Sequence, residues 1–114
     1  MSGRGAQAEQ LAADFLVRQG LQIVARNYRC RYGEIDLILQ EGDTLVFVEV
    51  RLRSRGDFGG AAASIDSHKQ RKLMLTAQHY LAQLRRTPPC RFDAVLLQDT
   101  RTPVEWIKNA FTAW

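Results

Sequence analysis

Residues 33–51 read GEIDLILQEGDTLVFVEVR, two β-branched and leucine-rich runs on either side of a Gly-Asp pair. Such a pair between apolar runs signals a two-residue hairpin of type II′, because glycine accepts the positive φ of the first turn position. With Gly42 and Asp43 as the turn, Glu41 faces Thr44 and the remaining pairs follow by counting back along both strands. Asp36 then stands opposite Glu49, and Glu34 opposite Arg51. Side chains alternate along a strand, so Glu34, Asp36, Glu49 and Arg51 are expected on one face. Ile35, Leu37, Leu39, Val46, Val48 and Val50 are expected on the other.

The flanking sequence supplies helices to cover this hairpin. Ala8, Leu11, Ala12, Phe15 and Leu16 follow the i, i+3, i+4, i+7, i+8 spacing of an amphipathic helix. Gly20 sits where a C-terminal glycine belongs, and Glu9 falls at the edge of the apolar stripe. Leu21 to Tyr28 reads as a first strand. After the hairpin, RSRGDFGG at 53–60 forms a glycine-rich basic loop. Ser67-His68-Lys69-Gln70 fits a capping box opening a long helix, with Leu73, Ala77, Tyr80, Leu81 and Leu84 as its stripe. Lys69 and Gln70 project toward the sheet, whereas Arg71, Lys72, Arg85 and Arg86 point elsewhere. Thr87-Pro88-Pro89 ends this helix, since proline cannot continue it. Arg91 to Gln98 and Val104 to Lys108 read as two further strands around a turn at 99–102. The predicted order is α-β-β-β-α-β-β in one mixed α/β domain covering 1–114, without repeats or linkers.

Charge is unevenly spread along the 114 residues. Residues 1–50 carry five basic and seven acidic side chains, whereas 51–91 carry nine basic and two acidic. A basic middle beside an acidic first half suggests either a polyanion-binding surface next to a carboxylate cluster or a solvated helix face. No run approaches the ~20 apolar residues that span a bilayer, and MSGRGAQAEQ lacks the apolar core of a secretory signal. No membrane association and a cytoplasmic location are expected. Cys30 and Cys90, sixty positions apart and in no C-x-x-C pairing, are expected as free thiols, and no Cys/His zinc site is expected.

Two carboxylates facing each other across adjacent strands repel. A cation between them relieves that repulsion, and carboxylate and carbonyl oxygens are what Mg²⁺ and Mn²⁺ prefer. Asp36, Glu49 and the Val50 carbonyl could supply such a site, suited to phosphodiester hydrolysis, with Arg51 adding a fixed positive charge. A solvent-facing ladder of paired charges explains the same four residues without a metal.

The hairpin Asp36-x12-Glu49-Val50-Arg51 resembles the PD-(D/E)xK nuclease core, in which Asp, Glu and Lys sit on adjacent strands. The wider pattern resembles the bacterial YraN-like family of uncharacterised endonuclease-like proteins. It comprises Glu9, Gly20, Asn27, GEIDLI at 33–38, VFVEV at 46–50, Lys69, Arg91-Phe92-Asp93 and Asn109-Ala110-Phe111. That family is similar in turn to archaeal Holliday-junction resolvases. The resemblance implies a restriction-endonuclease-like fold, a mixed central sheet flanked by helices. It also implies a Mg²⁺- or Mn²⁺-dependent DNA endonuclease with Glu9, Asp36 and Glu49 as metal ligands.

One position departs from the motif: Arg51 stands where the nucleases have lysine. Arginine keeps its proton in proteins and cannot act as a general base, although it can hold a water or a scissile phosphate. Asp36, Glu49 and Arg51 are therefore the candidate catalytic residues, and Lys69 is a candidate replacement for the missing ammonium. Arg53, Arg55, Lys69 and Lys72 are candidate contacts to the nucleic-acid backbone. Asp93 could join the acidic cluster or pair with Arg91, with the pairing favoured, and His68 and His79 are expected on the surface. Trp106, Phe111 and Trp114 are expected in the core or a subunit contact. Resolvase-like enzymes act as dimers, so a homodimer is an expectation from the resemblance. The alternative function is a nucleic-acid-binding module that keeps the fold without hydrolysis.

Overall fold

The turn at Gly42 forms as predicted. In the computed structural model Gly42 has φ +59 while Asp43 keeps a negative φ, the type II′ pattern. Glu41 faces Thr44, and pairing runs in the predicted register from there through Leu37 and Val48. The structure describes residues 3–52, 65–97 and 104–111, the side chains of 3 and 4 excepted. The predicted 53–60 loop with Arg53 and Arg55, the 99–102 turn and Trp114 lie outside the described residues.

Seven elements follow in the predicted order: α1 (Gly3–Arg18), β1 (Gln22–Cys30), β2 (Gly33–Glu41), β3 (Thr44–Leu52), α2 (Ser67–Leu81), β4 (Cys90–Leu97) and β5 (Glu105–Phe111). The strands form one mixed sheet in the order β1-β2-β3-β4-β5. All neighbours are antiparallel except β3 and β4, which are parallel. Parallel neighbours need a crossover, and α2 lies within it. Among the described residues no helix is long and apolar enough to cross a membrane.

The two helices cover opposite faces of the sheet. Ala8, Ala12, Ala13 and Leu16 of α1 pack on Leu37, Leu39, Val46, Val48, Val95 and Leu97. Leu73 and Ala77 of α2 pack on Ile35, Ile38, Leu45, Phe47, Phe92, Ala94 and Leu96. Strands β3 and β4 are thus buried on both sides, which is why VFV and AVLL read as unbroken apolar runs. At the end of α1, Leu21 N–H donates to Leu16 O and Gly20 N–H to Val17 O. With Gly20 at φ +99 this is a Schellman close, the role expected of that glycine.

Four local expectations are corrected. Ile35 faces α2, whereas Leu37 and Leu39 face α1, so strict alternation breaks at Asp36. The N-cap of α2 is Asp66, whose carboxylate accepts from Lys69 N–H at 2.8 Å. Gln70 instead donates its side chain to Ile65 O, so Ser67 opens no capping box. Helix α2 stops at Leu81, because the next five residues offer only Leu84 for burial and Leu84 is 37% exposed. Strand β1 runs on to Cys30 with an irregularity between Ile23 and Ala25, and β5 extends to Phe111, which stacks on Phe92.

Candidate functional site

Beyond Leu37 and Val48 the β2–β3 ladder gives way to a side chain. Asp36 Oδ2 accepts the Val50 amide at 2.8 Å, which holds its carboxylate in the gap at the end of the hairpin. In an extended strand a residue's N–H and C=O point the same way, so the Val50 carbonyl also faces this gap. The capture explains the broken alternation, with Ile35 and Leu37 turned to opposite faces around Asp36.

Three elements bring acids to Asp36. Glu9 arrives from α1, Glu34 from the start of β2 and Glu49 from β3. Glu9, Glu34 and Asp36 each offer an oxygen within 4.8 Å of the other two. Asn27, in the left-handed region at φ +50, ties two of them together. Its amide nitrogen donates at 3.0 Å to Glu34 Oε1 and to Glu9 Oε1 in the orientation that matches donors to acceptors. Glu34 also pairs with Arg29 Nε of β1 at 3.2 Å. The predicted Glu34–Arg51 pair is therefore corrected. The tight link from β1 to β2 sets Arg29 opposite Glu34, and the ladder toward Arg51 has already parted.

Glu49 is nearly buried and carries two cations. Lys69 Nζ of α2 lies 3.4 Å from its Oε2, and Arg51 Nε lies 4.0 Å from its Oε1. Neither Glu49 Oε2 nor Arg51 Nε has a hydrogen-bond partner among the described residues. Burial pushes the Asp36 carboxyl up to about 8, reinforced by the Glu49 charge and opposed by the Val50 amide. Burial and the Glu34 charge raise the Glu9 carboxyl as well. The arrangement concentrates carboxylates where water cannot fully solvate them, which favours either a shared proton or a cation. The all-oxygen donor set of Glu9, Glu34 and Asp36 fits Mg²⁺ or Mn²⁺.

Other predicted positions fall as follows. Lys72 is exposed on α2, its Cβ 3.8 Å from the point a Cβ on Gly33 would occupy. Asp93 stays apart from the cluster. It accepts Arg91 Nε at 3.0 Å, Trp106 Nε1 at 2.9 Å and Asn109 N–H at 3.0 Å. Trp106 packs edge-on against Phe15 of α1. Neither Cys30 nor Cys90 is in a disulfide. Glu34 and Asn27 were missed as members of the cluster. The two-residue link Arg31-Tyr32 between β1 and β2 places Glu34 beside Arg29, and no turn residue within it signals this.

Sequence comparison then places the chain among relatives. The family model described as uncharacterised protein family UPF0102 matches residues 8–97. A UPF0102 protein of Methylobacillus flagellatus is 55% identical over 114 residues, covering 99% of this chain and 100% of the relative. One of Nitrosomonas europaea is 59% identical, covering 95% and 92%. One of Cupriavidus taiwanensis is 60% identical, covering 96% and 83%.

Proposed function

We propose that this chain, which belongs to the uncharacterised protein family UPF0102, is a divalent-metal-dependent DNA endonuclease whose substrates include branched DNA. The single observation that carries the reading is the carboxylate cluster at the end of the hairpin. Glu9, Glu34 and Asp36 converge within 4.8 Å, and burial together with the Glu49 charge pushes the Asp36 carboxyl up to about 8. Acids so placed repel and resist ionisation, a cost that a cation-binding role accounts for.

Glu9, Asp36 and Glu49, with Glu34 and the Val50 carbonyl, would hold Mg²⁺ or Mn²⁺. The ion would supply polarisation of a phosphoryl oxygen and a water of lowered pKa. Arg51, always protonated, positions the water or the scissile phosphate and stabilises the negative charge that develops. Lys69, from α2, brings a second cation to the same Glu49 carboxylate. Lys72, Arg53 and Arg55 hold the strand by its phosphates.

A second reading keeps the fold and the nucleic acid but not the hydrolysis. The observation favouring it is Arg51, whose Nε sits against Glu49 where the nuclease motif has lysine. Labelled single-stranded, duplex, flap and four-way-junction DNA, incubated with Mn²⁺, Mg²⁺ or EDTA, separates the two. Cutting that needs the metal and is lost in Asp36→Asn supports the endonuclease. Binding without cutting, in the wild type and in Arg51→Lys alike, supports the module.

A further inference from the structure

Outside the carboxylate cluster, the surface between α2 and the β1–β2 link carries an aromatic and cationic group. Lys69, Lys72, His79 and Gln83 lie at helical spacing on one side of α2 and the turn after it, with the buried Thr76 between them. Helix α2 runs closest to the link at Gly33, where a Cβ would meet Thr76 Oγ1 at 3.3 Å. Arg31 and Tyr32, the two residues of the link, therefore stand beside this stripe.

The rings there are held, not loose. Gln83 Nε2 donates to the Tyr28 hydroxyl at 2.6 Å, and the same hydroxyl is hydrogen-bonded to His79 Nδ1, which holds the imidazole in place. His79 meets Tyr32 edge to face at 6.5 Å, and the Arg31 guanidinium lies 4.8 Å from the Tyr32 ring centre while donating to its hydroxyl. Tyr28 is anchored inward on Tyr80, which rests on Phe47. Arg31 and His79 are exposed and Tyr32 half-buried. Rigid planar groups at a surface offer contact area with little ordering cost.

We propose that Arg31, Tyr32 and His79 form a stacking site for an unpaired base of a nucleic-acid strand whose phosphates Lys69 and Lys72 hold. The site deepens the endonuclease reading, on which it rests for the position of the cut, and it sets the substrate class as DNA with a single-stranded segment. Aromatic rings and guanidinium planes stack on bases whose faces are free, whereas a duplex keeps those faces inside its own stack. Lysines along the same side supply the phosphate contacts such a strand needs. From Lys69 to His79 is about 15 Å along the helix axis. The stacked base thus lies a few nucleotides along the strand from the phosphate at the carboxylates.

The test is fluorescence anisotropy with a labelled single strand of about twelve nucleotides and the matching duplex, in low salt with EDTA. Tyr32→Ala and His79→Ala are expected to weaken single-strand binding roughly tenfold, the order of one lost stacked base, and duplex binding less than about twofold. Tyr32→Phe, which keeps the ring and guards against a folding artefact, is expected to retain the wild-type affinity. Equal loss on both DNAs, wild-type single-strand affinity in Tyr32→Ala, or no single-strand binding by the wild type overturns the proposal. The same preparations are then assayed for metal-dependent cutting. Ring-dependent single-strand binding without cutting overturns the nuclease reading and leaves the stacking site. Cutting that Tyr32→Ala does not change, with unchanged single-strand binding, does the reverse.

Discussion

Asp36 and Asp93 are both acids withdrawn from water, 36 on β2 and 93 on β4, yet their surroundings are opposites. Asp93 is 1% exposed and receives donors from Arg91, Trp106 and Asn109. Asp36 receives one amide, from Val50, and otherwise meets Glu9, Glu34 and Glu49. A fully partnered buried carboxylate braces a fold, because its desolvation is offset on every side. A carboxylate among carboxylates lacks that compensation, and the imbalance marks the place where function is to be sought. Burial alone does not separate the two; the sign of the neighbours does.

The largest effect is expected at the braced acid. Asp93→Ala leaves Arg91 with its Glu41 pair alone and takes the acceptor from the Trp106 indole and the Asn109 amide, and should lower stability by roughly 3–5 kcal/mol. Thermal unfolding would read this as a fall of more than ten degrees or so for a chain of this length. A change under about 1 kcal/mol would break the comparison by making Asp93 dispensable.

Next comes the crowded acid, where the sign should invert. The folded state holds the Asp36 proton up to about pH 8, whereas an unfolded chain releases it near the ordinary carboxylate value. Its contribution to stability is therefore present at low pH and lost as pH rises through that window. In EDTA, the wild type should unfold several degrees higher at pH 6 than at pH 8. Asp36→Asn should flatten that slope and be the more stable protein at pH 8. The other end of the hairpin responds oppositely. The Arg91 hydrogen bond holds the Glu41 carboxyl below its usual range, so its stabilisation is lost as pH falls through that lowered value. Glu41→Gln should thus leave the slope between pH 6 and 8 untouched.

The smallest effect on stability is expected at Lys69, whose side chain is 38% exposed beside Glu49. Lys69→Ala should shift unfolding by less than about 1 kcal/mol, as half-exposed ion pairs do. The same variant should weaken DNA binding measurably at low salt and less so at high salt. A large stability loss would turn Lys69 into a bracing residue like Arg91.

What was legible in the sequence was what neighbouring residues decide between themselves. Gly42-Asp43 fixed the turn, and the turn fixed the pairing from Glu41 with Thr44 to Leu37 with Val48. Gly20 closed α1 as its position suggested. The parting of the strands at Asp36 was not legible, because there a side chain competes with the backbone for the Val50 amide. Period-2 counting assumes the backbone wins. Glu34 was misassigned to Arg51 for a related reason. Its partner depends on the Arg31-Tyr32 link, which carries neither glycine nor asparagine to announce itself. At α2, Asp66 and Ser67 are adjacent residues of similar capping strength, and sequence spacing favoured the one that the fold passed over. Lys69 toward the sheet and Asp93 beside Arg91 were both readable from helix phase and strand spacing.

The central claim is that the acids around Asp36 are assembled to bind a divalent cation. Isothermal titration of Mn²⁺ into EDTA-stripped protein near pH 7, repeated in buffers of different ionisation heat, tests it most directly. The account predicts saturable binding that releases a proton, because Asp36 must ionise to bind, and loss of that binding in Asp36→Asn. Absence of saturable binding at millimolar Mn²⁺, or equal binding by Asp36→Asn, would contradict it.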